Sequence, residues 1–147
     1  MMTTKVELSN HFESIVEHLK NSDVAYLFLK PVSKKEAPDY LDYVKKPMDL
    51  GLIRDKVRKM VYRCRDDFRA DVEQIAENAH IYNDGRNPGI PPLADKLLDL
   101  CDSQLRLKKQ EFEELEDALE GYEGDGLYAA PNGRVSPPLD RRRKRLY

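Results

Sequence analysis

The sequence predicts an all-α domain: an antiparallel bundle of four helices with a long loop between the first two helices and an extension on the fourth. Apolar residues recur at helical spacing in four segments, and no segment alternates with a period of two for long enough to form a strand. The chain has 147 residues, of which 40% are apolar and 35% charged. This is enough for one domain with a core and a tail. Four helices joined by loops are most economically arranged as an antiparallel bundle.

The first two helices are predicted from their apolar stripes and from one capping residue. The stripes are Leu8, Phe12, Ile15, Val16 and Leu19 in the first helix and Leu50, Ile53, Val57 and Met60 in the second. Asp49 follows Pro47, which cannot lie inside a helix, and is placed to cap the second helix.

The third and fourth helices are predicted in the same way. Their stripes are Phe68, Val72, Ile75, Ala79 and Tyr82 in the third helix and Leu93, Leu97, Leu98, Cys101 and Leu105 in the fourth. Asp66 and Asp67 lie where the dipole of the third helix favours acidic side chains. The fourth helix is predicted to begin after Pro91 and Pro92.

The fourth helix has an extension with a spacing of three and four residues. Positions 98, 101, 105, 108, 112, 115 and 119 are all apolar except Lys108. A coiled coil normally needs three to four clean heptads, and fewer are present. We therefore expect the extension to pack along its own bundle or to stand in solvent, with dimerisation as the alternative, and we expect a monomeric domain.

The domain is predicted to span residues 1–120, followed by a disordered linker and a basic tail in residues 121–147. The linker, GYEGDGLYAAPNGRVSPP, is rich in glycine and proline and has no periodicity. The tail contains RRRKR at residues 141–145. Such a run is typical of nuclear import or nucleic-acid contact, and a solvated tail is the alternative.

The charge distribution limits the kinds of partner. Residues 134–147 contain six basic side chains and one acidic side chain, whereas the rest of the chain contains 19 basic and 26 acidic side chains. An acidic body disfavours broad binding to a phosphate backbone, so direct DNA binding is expected only weakly, through the tail. The same body suits a basic partner such as a lysine-rich peptide.

Other function classes lack the residues they need. Two cysteines and three scattered histidines form no disulfide framework and no metal-ligand spacing, so neither a metal nor a cofactor is expected. There is no apolar run of about 20 residues to cross a membrane. No nucleophile–base pair or glycine-rich phosphate loop stands out, so we expect a protein that is not an enzyme.

Two loops are predicted to form a pocket at one end of the bundle. The first, FLKPVSKKEAPDYLDYVKKP, is residues 28–47, and long ordered loops in compact domains are usually functional. The second, IYNDGRNPGIPP, is residues 81–92 and breaks the third helix abruptly. In an antiparallel bundle these loops lie at the same end. The residues that could meet there are Phe28, Val32, Tyr40, Tyr43, Tyr82, Asn83 and Ile90.

Two motifs carry a family resemblance. PDYLDYVKKPMDL at residues 38–50, followed by AHIYNDG at residues 79–85, resembles the bromodomain, the acetyl-lysine reader of chromatin proteins. The resemblance extends from about residue 5 to about residue 120 and implies a left-handed bundle and a nuclear protein. Within the family, the chain looks most similar to bromodomains of the general transcription machinery, and an ATPase-linked group is the nearest competitor. The implied partners are acetylated histone tails and general transcription factor subunits.

The resemblance assigns an acetyl-lysine site to seven residues: Phe28, Val32, Ala37, Tyr40, Tyr82, Asn83 and Ile90. It implies that the Asn83 side-chain NH2 donates to the acetyl carbonyl. Tyr40 would reach the same carbonyl through a water molecule. Without the resemblance, Asn83 would be interpreted as a helix terminator and Tyr40 as an ordinary buried tyrosine.

The remaining roles concern the walls of this site. The resemblance implies that Val32 and Ala37 form one apolar wall and that Phe28 lies beneath the acetyl methyl group. Tyr82 is the aromatic residue before the asparagine. Ile90 corresponds to the gatekeeper at the start of the fourth helix.

The chain departs from the family pattern in three places. Residues 26–28 are Tyr-Leu-Phe where many members have Trp-Pro-Phe, and the loop at residues 34–36 is short and charged. Ala37 is smaller than the residue often found there, so we expect a more open pocket and modest affinity. Cys64 replaces the usual Ser, Thr or Asn cap of the third helix, a loss that Asp66 and Asp67 could offset.

A second function is the alternative to acetyl-lysine reading. The chain could be a helical scaffold that binds protein partners through the acidic extension of the fourth helix, residues 98–119, and has lost acetyl-lysine binding. The retention of Asn83 favours acetyl-lysine reading over the scaffold.

Overall fold

The computed structural model describes residues 3–123 and is helical in that range, with no strand. Its elements are α1 Thr4–Lys20, a 3-10 turn Ala25–Leu27, α2 Tyr40–Tyr43, α3 Leu50–Arg58, α4 Arg65–Asn83, α5 Ile90–Leu107 and α6 Lys109–Glu123. The bundle consists of α1, α3, α4 and α5, with α6 continuing α5, which confirms the predicted fold class. None of these helices is both long and apolar enough to cross a membrane. The predicted linker and tail fall outside the described residues apart from the end of α6, so they stay a prediction.

The core forms around α1. All five residues of its predicted stripe are buried, and Phe12 lies at the centre of an aromatic cluster. Its ring centroid is 4.7 Å from that of Phe68 on α4 and 5.0 Å from that of Phe112 on α6. Tyr62, between α3 and α4, packs edge-on against both Phe12 and Phe68. One side chain on α1 thereby joins α4 and α6.

The second helix begins as predicted and ends earlier. Asp49 Oδ2 accepts a hydrogen bond from Leu52 N at 3.0 Å, which confirms the predicted cap. The helix stops at Arg58, and the inclusion of Met60 in its stripe was wrong. Met60 has a φ of 58°, and the amides of Met60 and Val61 bond to the carbonyls of Val57 and Lys56. These two bonds satisfy carbonyls at the end of the helix, as in a Schellman motif.

The fourth helix begins earlier than predicted. It starts at Ile90 and contains Pro91 and Pro92 in its first turn. The N–H groups of a first turn have no partner within the helix, so proline, which lacks this group, is tolerated there. The prediction of a start after the two prolines was therefore wrong.

The predicted extension packs along its own bundle. The helix is interrupted at Lys108, where φ is −105° and ψ is 20°. Helical hydrogen bonds continue on both sides, from Lys108 N to Gln104 O and from Phe112 N to Lys108 O. The buried residues of the predicted seam are Cys101, Leu105, Phe112 and Leu119. The seam is thus the inner face of the extension, in contact with α1.

The N-terminus of α4 is capped by a residue that is distant in the sequence. Cys64 makes no side-chain capping hydrogen bond, as its chemistry predicts. Glu116 of α6 instead accepts hydrogen bonds from Arg65 N and Arg65 Nε, both at 2.9 Å. Asp66 and Asp67 lie in the first turn as expected, but the cap is supplied by Glu116. This contact fastens α6 to α4.

Candidate functional site

A cavity of about 560 Å³ lies at the end of the bundle where the loop between α1 and α3 meets the loop between α4 and α5. The predicted pocket residues that line it are Phe28, Val32, Ala37, Tyr40, Tyr82, Asn83 and Ile90. The structure thereby brings all seven residues of the predicted acetyl-lysine site to one cavity.

The long first loop is ordered by local hydrogen bonds and by its attachment to α3. Ala37 N donates to Ser33 O, and the short helix α2 follows. Leu50 N and Gly51 N donate to the carbonyls of Phe28 and Leu29 at 2.8 and 3.2 Å. A Cβ at residue 51 would lie 3.2 Å from Leu29 O and 3.0 Å from an Asp49 carboxylate oxygen. Glycine at this position therefore allows the loop to approach α3 closely.

Asn83 is the last residue of α4 and is 9% exposed. Its backbone carbonyl accepts hydrogen bonds from the amides of Arg86 and Asn87, both at 2.9 Å, across a turn in which Gly85 has a φ of 81°. Its side-chain Oδ1 accepts from Asn87 Nδ2 at 3.1 Å. Within residues 3–120, no group accepts a hydrogen bond from Asn83 Nδ2. The Asn87 contact thus occupies the carbonyl of the Asn83 amide and leaves its donor free.

Tyr40 and Tyr82 pack against each other beside Asn83. Their ring centroids are 5.0 Å apart with the planes at 64°. The pKa of Tyr40 is raised above its ordinary value, mainly because the phenol is partly buried. Its hydroxyl hydrogen-bonds to no described residue, so the cavity offers both a free amide donor and a free, neutral hydroxyl.

The walls of the cavity are mostly apolar. Phe28 and Ala37 are buried, and Ile90 packs against the main core. Val32 is 45% exposed, so the side of the cavity formed by the first loop is open to solvent. Whether the pocket is more open than in other members of the family stays a prediction.

Sequence reasoning missed several lining residues, among them Met48, Asn78 and Asn87. Asn78 is almost fully buried, and its Nδ2 donates to Lys46 O at 2.8 Å while its Oδ1 accepts from Gln74 Nε2. It therefore ties α4 to the first loop. Its position three residues after Ile75 and next to Ala79, two members of the predicted apolar stripe, was the available signal.

Tyr43 does not line the cavity, so its inclusion in the pocket was wrong. Its side chain is about half exposed. Its ring centroid lies 6.0 Å from that of Tyr82, which also contacts Tyr40. Because Tyr82 supplies the cavity wall here, Tyr43 packs outside it.

His80 links the end of α4 to α5. Its Nδ1 lies 3.2 Å from Asp84 Oδ1 and its Nε2 lies 3.0 Å from Asp95 Oδ1. The pKa of His80 is raised, first by the hydrogen bond to Asp95 and then by that to Asp84. Contact with two carboxylates stabilises the imidazolium form of this partly exposed side chain.

Comparisons with known proteins identify the family of the chain. Residues 12–96 match the family model "Bromodomain", and the chain belongs to the bromodomain family. It is similar in structure to the bromodomain from human BAZ1A, with a TM-score of 0.60, 36% sequence identity and coverage of 65% of this chain and 89% of that one. The predicted family resemblance is confirmed.

Particular relatives are found among transcription factors. The chain is 59% identical over 116 residues to transcription initiation factor TFIID subunit 1 of Oryza sativa subsp. japonica, and 59% identical over 117 residues to that of Arabidopsis thaliana. Each alignment covers 79% of this chain and 6% of the relative. The predicted similarity to the general transcription machinery is confirmed, and the chain spans about 6% of the length of these relatives.

Proposed function

We propose that the cavity binds the acetylated side chain of a lysine, and that the chain acts as a reader of acetylated proteins. The observation that carries the proposal is the Asn83 amide, whose carbonyl is held by Asn87 while its NH2 group stays unpaired in the lining of an apolar cavity. Membership of the bromodomain family supports the same assignment.

The chemistry of acetylation matches this site. Acetylation replaces a charged ammonium by a neutral amide, and a neutral amide enters an apolar cavity at little cost if its carbonyl finds a donor. Asn83 provides that donor, and the Tyr40 hydroxyl is available to act through a water molecule. Phe28, Ile75 and Ala79 line the same cavity and suit the acetyl methyl group and the lysine stem.

The cellular setting is proposed from similarity. Relatives that are transcription initiation factor subunits favour a nuclear protein that acts with general transcription factor subunits, and acetylated histone tails are the proposed ligands. The acidic body of the chain suits such lysine-rich tails. We propose binding and no catalysis.

The alternative, a scaffold that binds partners through residues 98–119, has less support. The seam residues Cys101, Leu105, Phe112 and Leu119 are buried in the core, so a partner would meet the acidic outer face of this segment, where Glu111, Glu114 and Asp117 are exposed. The same burial favours a monomeric domain, because little of the seam is left for a second copy.

The test is a titration of isotopically labelled protein with one lysine-rich peptide in acetylated and unacetylated forms. With the acetylated peptide we expect NMR shifts confined to residues 28–43 and 82–90. Asn83→Ala should weaken its binding at least about tenfold, because it removes a hydrogen bond in a desolvated site and leaves the ligand carbonyl unpaired. The variant should remain folded. Equal affinity of the variant and the unmodified protein, measured by calorimetry, would refute the proposal that the cavity binds acetyl-lysine.

A further inference from the structure

Beside the mouth of the cavity, Asp39, Tyr43, Tyr82 and Arg86 form a compact group that we call the rim cluster. The Arg86 guanidinium carbon lies 4.4 Å from the ring centroid of Tyr82 and 4.9 Å from that of Tyr43. Arg86 Nη2 lies 3.4 Å from Asp39 Oδ2. Two aromatic rings and one carboxylate thus surround a cation that belongs to the chain itself.

The three residues around Arg86 have the chemistry of a cation site. The face of a tyrosine ring is electron-rich and attracts guanidinium and ammonium groups. Tyr82 Oη donates to Asp39 Oδ1 at 2.6 Å, and this bond is the main reason that the pKa of Asp39 lies below its ordinary value. Asp39 therefore carries its negative charge at neutral pH, and Tyr82 fixes its position.

Arg86 is held less firmly than its surroundings. Its separation from Asp39 exceeds the 2.7–2.9 Å that is usual for a charged hydrogen bond. Both side chains are 41% exposed, and ion pairs at such exposed positions contribute little. The bond between Tyr82 and Asp39 does not need Arg86, so the site would persist if another cation replaced it.

The rim cluster adjoins the proposed acetyl-lysine cavity. Tyr82 belongs to both, and Asn83 follows it directly. Arg86 lies in the turn whose backbone amides bond to Asn83 O. A peptide with its acetylated side chain at Asn83 would therefore place a neighbouring residue close to the cluster.

We propose that Asp39, Tyr43 and Tyr82 form a subsite for an arginine or lysine of the same peptide whose acetyl-lysine enters the cavity, and that Arg86 occupies this subsite until the ligand displaces it. This inference rests on the proposed function. It makes Arg86 a competitor that lowers the preference of the domain for basic sequences next to the acetylated lysine.

The test uses matched acetylated peptides that carry either arginine or citrulline, its neutral isostere, at each of the two positions on either side of the acetyl-lysine. Affinities are measured by calorimetry for the unmodified protein, Arg86→Gln, and Arg86→Gln combined with Asp39→Asn. We expect Arg86→Gln to raise the arginine-over-citrulline preference about threefold or more at one position, as a vacated cation–aromatic site allows. The double variant should lose this gain.

Lys34→Gln is the matched control, because it removes the same charge from an exposed position of the first loop outside the rim cluster. It should leave the preference unchanged. An equal rise in Lys34→Gln would show a general charge effect and overturn the subsite. An Arg86→Gln variant that binds both peptides more weakly by the same factor would make Arg86 a structural tie between the two loops, which also overturns it.

Failure of the subsite and failure of the proposed function give different results. The loss of affinity that Asn83→Ala causes with the acetylated citrulline peptide reports on the cavity, because this peptide has no cation at the acetylated lysine or at the flanking position. The comparison of arginine and citrulline peptides reports on the cluster. Suppose that the loss of affinity in Asn83→Ala is large and that the arginine preference is unchanged. This result would refute the cation subsite but not the proposal that the cavity binds acetyl-lysine.

Discussion

Two arginine–carboxylate contacts in this domain have similar chemistry and opposite surroundings. Arg65 and Glu116 join α4 to α6, with side chains that are 1% and 0% exposed and a nitrogen–oxygen distance of 2.9 Å. Arg86 and Asp39 join the two loops of the candidate site, with both side chains 41% exposed and a distance of 3.4 Å. The first pair also caps a helix through Arg65 N, whereas the second is stacked on aromatic rings.

The difference shows how burial decides the role of an ion pair. A buried charge that loses its partner has no water to replace it, so removal of either side chain is strongly destabilising. An exposed charge regains water when its partner leaves and loses little. The Arg65–Glu116 contact is therefore part of the architecture, whereas the Arg86–Asp39 contact can be exchanged for a ligand. Four predictions test this contrast, in order from the buried contact to the most exposed one.

The largest effect is expected at the buried pair. Glu116→Ala should lower the free energy of unfolding by about 3–5 kcal/mol, because it leaves the Arg65 charge buried and removes the cap of α4. Urea denaturation measures this loss. Glu114→Ala, at an exposed position on the same helix, is the control and should change it little. If Glu116→Ala lowers the free energy of unfolding by less than about 1 kcal/mol, the buried pair contributes no more than an exposed ion pair, and the contrast is wrong.

The next effect concerns the contact between Asn87 and Asn83, which is intermediate in burial. Asn87→Asp replaces a donor by a carboxylate, which favours the Asn83 amide in the reversed orientation with its oxygen towards the cavity. We expect affinity for an acetylated peptide to fall about tenfold, since one directional hydrogen bond is lost and an acceptor faces an acceptor. Asn87→Ala should weaken binding less, because the amide can still rotate.

Calorimetry with the acetylated citrulline peptide measures both Asn87 variants. Lys35→Gln, which changes the net charge by the same amount in the first loop, is the control for charge. Undiminished affinity in Asn87→Asp would show that Asn87 does not set the orientation of Asn83.

Salt should distinguish the long-range electrostatic attraction of a peptide from its binding in the cavity. The Debye length falls from about 10 Å at 0.1 M salt to about 3 Å at 1 M, so attraction between the acidic body and a lysine-rich peptide weakens. The affinity ratio of acetylated to unacetylated peptide should stay constant or grow across a salt series. Equal binding of both forms at low salt, lost together at high salt, would indicate an electrostatic docking surface.

The smallest effect is expected at His80, which is exposed between two carboxylates. Its pKa is raised by Asp95 and Asp84, so its stabilising effect is fully present below about pH 6.5 and is lost as the pH rises through the raised value. The difference in unfolding free energy between the unmodified protein and His80→Gln should therefore shrink as the pH rises. A difference that does not vary between about pH 5 and pH 8 would contradict this role.

The sequence by itself determined the features that depend on neighbouring residues. Apolar spacing in α1 placed Phe12 in the core, and the order Pro47-Met48-Asp49 predicted the cap that Asp49 provides. The family resemblance predicted one pocket for Asn83 and six other residues, and all seven line one cavity in the structure. Periodicity and capping act over a few residues, so they can be recognised in a linear chain.

Tertiary structure alone decided the contacts between distant residues. Glu116 caps α4 from 51 positions away, and Tyr82 meets Asp39 across 43 positions. Nothing in either local sequence distinguishes these carboxylates from the many exposed acids, because their partners are chosen by the packing of α6 on the bundle and by the fold of the first loop. Tyr43 shows the same limit, since its place outside the cavity depends on where the Tyr82 ring packs. Burial and distance, which set the energy of a polar contact, exist only after the chain has folded.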